Sequence, residues 1–380
     1  MRISLITETY SPQVNGVSRT LGQLARVLRG AGDRVQVVHP DYGAAPGHPD
    51  DHLVPSIRMP FYRELYLPRP PFDGVYRAIE AFEPDLIHIA TEATLGLAVH
   101  RRARWLGFPI VSSFHTNFDQ YTRHYGVGFA KALIWRYLRW FHNATLQTYV
   151  PSNATIGDLR ARGFERLVLW PRGVDANLFR PDRPGRGAIR QALGFAADDL
   201  VIGHVSRIAA EKNVGYLGEA LRRVAQARPG VRLLIVGDGP ARPSLEARLG
   251  ESARFVGYRT GDDLADHYAA CDLFAFASLT ETFGNVILEA MASGLPVVAI
   301  RAGGPGDIVR PANTGYLVGL SDPPEAFGEA LTSLIDDPAK RACMAANARA
   351  YALSQSWDAI MMGLRGCYQG CLEQASTFMA

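Results

Sequence analysis

The chain has 380 residues, of which 47% are hydrophobic and 20% charged, and this composition excludes a disordered or fibrous protein. The length is that of two or three domains rather than one. A net charge of +3 is too small to indicate a nucleic-acid partner, and no run of eighteen apolar residues occurs that could cross a membrane. The amino terminus turns polar too early for a signal peptide, which predicts a cytoplasmic protein.

The cysteines and the distribution of charge indicate which metals, lipids or proteins could bind the chain. The four cysteines form no C-x2-C pair, so we predict neither a disulfide nor a metal site. Residues 1–175 carry 20 basic and 15 acidic residues, whereas residues 176–380 carry 20 basic and 22 acidic residues. The basic first half is compatible with solubility alone, or with an acidic partner or an anionic lipid surface.

The first half of the chain alternates predicted strands and helices over residues 1–172, as in a doubly wound α/β domain. A turn-rich loop at 10–17 precedes the first helix, which is the position of a ligand loop in nucleotide-binding folds. Helical periodicity follows this loop and recurs at 95–105 and 153–162. Strands are predicted over residues 2–6, 34–39, 53–57, 85–90, 109–114, 146–151 and 167–170.

The alternation of strands and helices begins again after a stretch rich in Pro, Arg and Gly at 173–187, which we predict to be a linker. A second doubly wound domain is expected over 188–352, and the final segment, 353–380, is expected to be a helix that packs back toward the first domain. We therefore predict an α/β fold of two Rossmann-like domains that face each other across a cleft. Strands of the second domain are predicted over 200–205, 231–236, near 255, 273–277, 296–300 and 316–318.

A strand-to-helix turn within residues 278–296 is the first candidate site. The backbone amides around Gly284 open a helix, and such amides bind anions such as phosphate. Glu281 and Glu289 lie on either side, and carboxylates suit the hydroxyls of a sugar and a ribose. This combination favours a sugar nucleotide. The alternative is that Glu281 caps the helix and Glu289 lies on a solvated face.

Two basic residues after the 200–205 strand form a second candidate anion site. Arg207 and Lys212 combine a guanidinium with an ammonium group, and together they could clamp a diphosphate. The alternative is a surface ion pair between Glu211 and a neighbour. The glycine turn at 237–240 lacks the third glycine of a dinucleotide fingerprint, so we predict no nicotinamide cofactor.

Two features of the first domain are also candidates. His115 follows the 109–114 strand, although a histidine in this position is often a structural hydrogen bonder. Residues 127–141 are aromatic and basic without an acidic residue, which is typical of a helix at a membrane interface, but also of a core helix whose aromatic rings pack inward. The side chains that would meet lipid are Lys131, Trp135, Arg136, Tyr137, Arg139, Trp140 and Phe141.

In combination, these motifs resemble the retaining glycosyltransferases of family four, which have the GT-B fold. The chain is similar in particular to bacterial GDP-mannose-dependent α-mannosyltransferases and to diacylglycerol or sulfoquinovosyl lipid glycosyltransferases. Thr282 departs from the pattern, since family motifs often carry a small residue there. The segments that match are 15–17, 115–117, 172–175, 207–212, 237–240, Glu281 with Glu289, and 294–296.

The resemblance implies roles for individual residues. Arg207 and Lys212 would hold the donor diphosphate, Glu289 the ribose, and Glu281 the donor sugar. The implied catalytic set is His115, Arg207, Lys212 and Glu281. The implied donor-binding set is Gly16, Arg207, Lys212, Gly237, Gly257, Glu281, Phe283, Gly284, Asn285, Val286 and Glu289. On the acceptor side we expect Asn15, Asn117 and Asp119 beside the lipid-facing residues named above.

The expected reaction moves a hexose from GDP-mannose or a UDP-hexose to a hydroxyl acceptor, with retention and without a metal or other cofactor. The acceptor is expected to be a lipid or a lipid-linked glycan at the inner face of the cytoplasmic membrane. Glu281 could act as nucleophile, or the leaving phosphate could deprotonate the acceptor. Alternative functions are a sugar-nucleotide epimerase of the same architecture and a non-catalytic sugar-nucleotide-binding protein.

Overall fold

The computed structural model describes residues 1–13, 15–43, 46–58, 66–115, 128–196 and 198–379, with the backbone alone at 128–131 and 375–379. Its contacts divide the chain into two units. The first is Met1–Pro171 together with Asp358–Ala380, and the second is Arg172–Trp357.

A parallel sheet forms the centre of the first unit, with strand order β3-β2-β1-β6-β7-β8-β9. Its strands are buried on both faces, as near-continuous runs of Ile, Leu and Val require. A small antiparallel hairpin, β4-β5, lies apart from this sheet. The strands are β1 Arg2–Ile6, β2 Arg34–Pro40, β3 His52–Val54, β4 Ser56–Arg58, β5 Tyr66–Pro68, β6 Leu86–Ile89, β7 Ile110–Ser113, β8 Thr148–Val150 and β9 Leu167–Leu169.

The helices of the first unit begin and end where local signals allow. The Asn15 side chain caps α1 by accepting the backbone amide of Ser18 at 2.9 Å. No pattern described above predicts α2, although its buried Val75, Ile79 and Phe82 have helical spacing. The helices are α1 Gly16–Gly30, α2 Asp73–Phe82, α3 Thr94–Leu106, α4 Gly128–Asn143 and α5 Asn153–Ala161.

The second unit repeats the plan with a parallel sheet of order β12-β11-β10-β13-β14-β15. The strands are β10 Leu200–Val205, β11 Val231–Val236, β12 Ala253–Gly257, β13 Leu273–Phe276, β14 Val297–Ile300 and β15 Gly315–Val318. The helices are α6 Gly185–Ala192, α7 Val214–Ala227, α8 Arg242–Leu249, α9 Gly261–Ala269, α10 Asn285–Ala292, α11 Pro305–Ile308, α12 Pro324–Ile335 and α13 Pro338–Ser354, followed by α14 Trp357–Met379.

Both sheets reverse their strand order beside the first strand of the unit. In the first unit the reversal lies between β1 and β6, and in the second between β10 and β13. Ligands of doubly wound sheets bind at this switch point, outside the carboxyl ends of the strands. The predicted fold class, α/β with two Rossmann-like domains, is confirmed.

The unit boundaries differ from the predicted linker at 173–187. Val174 and Phe179 are each 2% exposed and belong to the core of the second unit, and α6 already begins at Gly185. Two buried apolar residues among Pro, Arg and Gly therefore anchor this segment. The chain returns to the first unit at Asp358, where α14 buries Met361, Leu364, Tyr368 and Cys371.

Candidate active site

The switch point of the second unit joins two residues that lie 69 positions apart. Lys212 follows β10 and Glu281 follows β13, and the lysine Nζ forms an ion pair with the glutamate Oε1. Both side chains are only about one-fifth exposed, at 19% and 20%. Arg207 instead pairs with Glu211 and is 66% exposed, so in this structure it forms the surface ion pair that was the alternative interpretation.

The turn that carries Glu281 rests on a second glycine segment. The Gly304 amide donates to the Glu281 carbonyl at 3.1 Å, and the Ser278 hydroxyl approaches the Glu281 carboxylate at 3.4 Å. A Cβ atom on Gly303 would lie 2.3 Å from the Glu281 carbonyl oxygen, and one on Gly304 would lie 2.0 Å from that of Phe283. Sequence reasoning missed these two glycines, although a Gly-Gly-Pro run soon after a strand was available as a signal.

Helix α10 begins just after this turn, with Gly284 as its N-cap residue. Gly284 has φ +100°, a conformation that few other residues adopt, and its carbonyl accepts the Ile287 amide at 2.9 Å. The preceding Phe283 is buried, and Asn285 and Val286 form the first turn. The amides of a first helical turn have no carbonyl partner within the helix and attract anions.

Glu289 lies one turn farther along α10 and is buried. It is 6% exposed, and the Tyr268 hydroxyl is 3.2 Å from its Oε2. The same hydroxyl is also 3.2 Å from the Val286 carbonyl. Glu289 therefore does not lie on a solvated face, and Tyr268 from α9 holds its carboxylate in place.

The glycine turn after β11 supports the backbone that carries Arg207. Gly237 has φ +124° and donates its amide to the Gly257 carbonyl at 2.8 Å. A Cβ atom on Gly237 would lie 1.9 Å from the Ser206 carbonyl oxygen. Close backbone packing explains this glycine, and the turn positions the loop after β10.

In the first unit, His115 lies just beyond the carboxyl end of β7. Its Nε2 is 2.8 Å from the Ser113 hydroxyl, and its ring meets the buried Trp170 edge-on with centroids 5.6 Å apart. Asn15 and Gly16 lie at the start of α1, where the Asn15 amide also donates to the Thr9 hydroxyl at 2.7 Å. Asn15 thus has a structural role as a helix cap. The predicted Asn117 and Asp119 lie outside the described residues, as does the side chain of Lys131.

Two buried glutamates occupy the switch point of the first unit and were missed. Glu8 follows β1 and Glu92 follows β6, each directly after a threonine, and they are 7% and 8% exposed. Glu8 accepts the Leu95 amide at 2.6 Å at the start of α3. Burial raises the pKa of Glu8 to about 7 and that of Glu92 to about 8. A Thr-Glu pair at the end of two central strands was the sequence signal.

Helix α4 places its aromatic residues on two different faces. Phe141 is fully buried, and the Tyr137 hydroxyl donates to the Glu92 carbonyl at 2.5 Å, so these two do not form part of a lipid-facing surface. Trp135 is half-buried against Phe114 and Phe164. The exposed face carries Leu133, Arg136, Arg139 and Trp140.

No group of three or more His, Cys, Asp or Glu side chains in the described part of the chain could hold a metal ion. None of the helices described there is long and apolar enough to cross a membrane.

Two Rossmann-like units, with a lysine–glutamate pair and a helix amino terminus at the strand ends of the second unit, are the features expected of a GT-B glycosyltransferase. Family models agree: residues 14–178 match "Glycosyltransferase Family 4" and residues 199–337 match "Glycosyl transferases group 1". The chain is 34% identical to a GDP-mannose-dependent alpha-mannosyltransferase of Mycobacterium tuberculosis, over 99% of this chain and 98% of that protein. The chain therefore belongs to glycosyltransferase family four.

Two further similarities concern the substrates of relatives. The chain is 28% identical to an alpha-monoglucosyldiacylglycerol synthase of Streptococcus pneumoniae, over 79% of this chain and 71% of that protein. Its fold matches the crystal structure of Anabaena Alr3699/HepE in complex with UDP, with a TM-score of 0.77 and 25% identity over 97% of this chain and 100% of that one. The protein is a glycosyltransferase, and the epimerase and non-catalytic alternatives are not favoured.

Proposed function

We propose that the protein transfers a hexose from GDP-mannose or a UDP-hexose to a hydroxyl group, with retention of anomeric configuration and without a metal ion. The observation that carries this proposal is the meeting of Lys212, Glu281 and the amino terminus of α10 at the switch point of the second unit. This set offers positive groups for a diphosphate beside a carboxylate for sugar hydroxyls.

The pairing of Lys212 with Glu281 supports a specific division of labour. An ammonium group has three N–H donors, so Lys212 can keep its bond to Glu281 and still donate to a donor phosphate. The departing diphosphate gains negative charge in the transition state, and Lys212, Arg207 and the α10 amides would stabilise it. Glu289, held by Tyr268, would accept the ribose hydroxyls. We also propose His115 as a catalytic residue that acts on the donor sugar nucleotide.

The names of relatives support the choice of donor and acceptor. One relative is named for GDP-mannose, the structural neighbour binds UDP, and another relative is named for a diacylglycerol lipid. We propose a lipid or lipid-linked acceptor, presented at the inner face of the cytoplasmic membrane.

A donor screen tests the reaction. The protein is incubated separately with GDP-mannose, UDP-glucose and ADP-glucose, each with a detergent-solubilised diacylglycerol or glycolipid acceptor. We expect one of these donors to release nucleoside diphosphate, and to do so only when the acceptor is present. NMR of the product should show the anomeric configuration of the donor, and EDTA should leave the rate unchanged. Donor conversion without an acceptor would indicate an epimerase, and an inverted product or EDTA sensitivity would refute the corresponding part of the proposal.

The exposed face of α4 supports the membrane part of the proposal. Arg136 and Arg139 would meet anionic headgroups, while Leu133 and Trp140, which are 53% and 44% exposed, would enter the interface. We expect the wild type to cosediment with vesicles in proportion to their anionic lipid content at low salt, and the double variant Arg136→Glu, Arg139→Glu to remain in the supernatant.

A charge-matched control separates this face from net charge. Arg69 and Arg77 are exposed on the same unit, so Arg69→Glu, Arg77→Glu makes the same change in charge away from α4. Wild-type protein that never sediments, or a control that loses binding as fully as the α4 variant, would refute α4 as the membrane contact.

A further inference from the structure

A chain of hydrogen bonds runs from His115 into the core of the first unit and ends on α14. The Ser113 hydroxyl is 2.8 Å from His115 Nε2 and 2.8 Å from His88 Nε2. The other nitrogen of His88, Nδ1, is 2.5 Å from the hydroxyl of Tyr368. His88 and Tyr368 are 280 residues apart in the sequence, and His88, Ser113 and Tyr368 are all fully buried.

The buried end of the chain sets the direction of its hydrogen bonds. Among the described residues, the Tyr368 hydroxyl has only His88 Nδ1 as a partner. If the hydroxyl accepted a hydrogen bond from His88 Nδ1–H, its own O–H would be buried without an acceptor, which is costly. Tyr368 therefore donates to Nδ1. Burial lowers the pKa of His88 to about 3, so the ring is neutral and its single proton is on Nε2.

The direction of the remaining hydrogen bonds follows, because His88 and Ser113 each have one proton to donate. His88 Nε2–H donates a hydrogen bond to the Ser113 oxygen. Among the described residues the Ser113 hydroxyl bonds only to His88 and His115, so its own O–H donates to His115 Nε2. His115 Nε2 is consequently an acceptor, and the proton of a neutral His115 is on Nδ1. Protonation of Nε2 would leave either the Ser113 or the Tyr368 hydroxyl proton buried without an acceptor.

We propose that Tyr368 is a positioning residue that holds His115 as the neutral Nδ1–H tautomer through His88 and Ser113. This inference rests on the proposed function, in which His115 acts on the sugar-nucleotide donor. The fixed tautomer would give His115 an Nδ1–H group of defined orientation for a hydrogen bond to that substrate. The final helix thus helps to orient a residue just beyond the carboxyl end of β7.

The groups that surround the buried end of the chain are neutral near pH 7. Tyr149 and Trp170 pack against the His88 ring with centroids 5.8 and 5.7 Å away. Cys367 and Cys371 lie on the same helix as Tyr368, and burial raises the pKa of both thiols and of the Tyr149 and Tyr368 hydroxyls. These groups do not supply a charge that would reverse the direction.

Selective 15N labelling of histidine tests the proposal independently of turnover. Long-range 15N–1H correlation spectra of the wild type, with the His115 signals assigned by their loss in His115→Gln, should show the Nδ1–H tautomer. In Tyr368→Phe, which keeps the ring packing but removes the donor, we expect the Nε2–H tautomer of His115 to become populated and its pKa to rise by about one unit. The acid limb of the kcat/KM profile should move to higher pH with it.

Tyr149→Phe is the matched control, because it removes a buried hydroxyl from the same aromatic cluster. The Tyr149 hydroxyl donates to the Gln147 side chain at 3.2 Å and is not part of the hydrogen-bond chain from Tyr368 to His115. The tautomer and pKa of His115 should therefore not change in this variant. A wild-type Nε2–H tautomer, or an unchanged tautomer and pKa in Tyr368→Phe, would overturn the inference. A tautomer shift in a protein that transfers no sugar would instead refute only the proposed function.

Discussion

The Lys212–Glu281 ion pair connects the loops that follow β10 and β13, and both of its side chains are largely shielded from water. Shielding from water strengthens the attraction between the two charges. Arg207, by contrast, is exposed and paired with Glu211, so a bound diphosphate would have to draw it away from a weak surface contact.

Alanine at either basic position should therefore slow transfer while leaving the fold intact. We expect Arg207→Ala and Lys212→Ala each to lower turnover by about two to three powers of ten, because charge stabilisation of the leaving diphosphate is lost. Steady-state release of nucleoside diphosphate measures the effect. Arg223→Ala, which removes an exposed pair with Glu219, is the control and should keep full activity. Full activity in Arg207→Ala or Lys212→Ala, with an unchanged melting curve, would contradict the diphosphate role.

The buried glutamates of the first unit should make the free energy of unfolding depend on pH. The pKa of Glu92 is about 8 in the folded protein, against an ordinary value of 4.5. Between these two pH values the folded state therefore keeps a proton that the unfolded state has lost. The contribution of the protonated Glu92 to the free energy of unfolding is fully present below about pH 4.5 and is lost as the pH rises through about 8. Glu8, with a pKa of about 7, acts in the same direction.

Glu92→Gln should remove the Glu92 part of this dependence. We expect the variant to gain stability over the wild type between pH 5 and 8 by up to about 1.4 kcal/mol for each pH unit. Thermal unfolding at pH 5, 6, 7 and 8 measures the difference. Glu165→Gln, whose side chain is 65% exposed, should show no such trend. A constant difference between Glu92→Gln and the wild type would mean that Glu92 is ionised in the folded protein.

At the scale of elements, short glycine turns control where the strand-end loops lie. The Gly237 turn after β11 touches the loop after β10, and the Gly303–Gly304 segment after β14 touches the loop after β13. Each contact is between backbones, so a side chain at these positions would displace a loop that carries Arg207 or Glu281. Binding residues are thus held by neighbouring strand ends rather than by their own helices alone.

Gly237→Ala tests this support. The new methyl group would meet the Ser206 carbonyl at 1.9 Å, and φ of +124° is itself unfavourable for alanine, so we expect a loss of about 3 kcal/mol in the free energy of unfolding. Transfer should also slow at least about tenfold, since displacement of reacting groups is costly. Gly230→Ala is the control, because no atom lies within 4 Å of its added Cβ. Equal stability of the two variants would show that the Gly237 turn can relax.

At the scale of the whole chain, the first unit is completed by its last residues. Arg365 on α14 donates to both carboxylate oxygens of Asp33, at 2.7 and 3.0 Å, and the amino terminus of Met1 reaches the same carboxylate at 2.8 Å. The Asp33 side chain is 1% exposed, and its partners hold its pKa below the ordinary value even though burial opposes this. Met1 and the last helix, through Arg365, therefore bind the same buried carboxylate.

Arg365→Gln should destabilise the protein by about 2 kcal/mol, because the buried charge of Asp33 loses its main partner. Arg26→Gln is a matched control, because Arg26 on α1 likewise forms an ion pair with a residue of α14, Asp358, but both side chains are more than half exposed. We expect a change of at most about 1 kcal/mol there. Thermal or urea unfolding compares the two, and equal losses would show that the Asp33 cluster does not anchor α14.

The local sequence determined much of this protein. Apolar runs of Val, Ile and Leu identified the strands of both sheets, and the motifs around Arg207, Gly237 and Glu281 pointed to a nucleotide-sugar site, because strand burial and phosphate binding depend on neighbouring residues. Helices such as α2, α8 and α9 were not identified, and the segment at 173–187 was assigned to a linker although its apolar residues enter a core.

Only the tertiary structure decided which of these residues meet. Lys212 pairs with Glu281 rather than with a nearer acid, Tyr268 supports Glu289, and Tyr368 reaches His88 across 280 residues. Such contacts depend on the order of strands in a sheet and on the return of the last helix, neither of which leaves a periodic signal in the sequence. Local periodicity therefore identifies the elements, whereas the partners of each charged group follow from the distances that folding brings about.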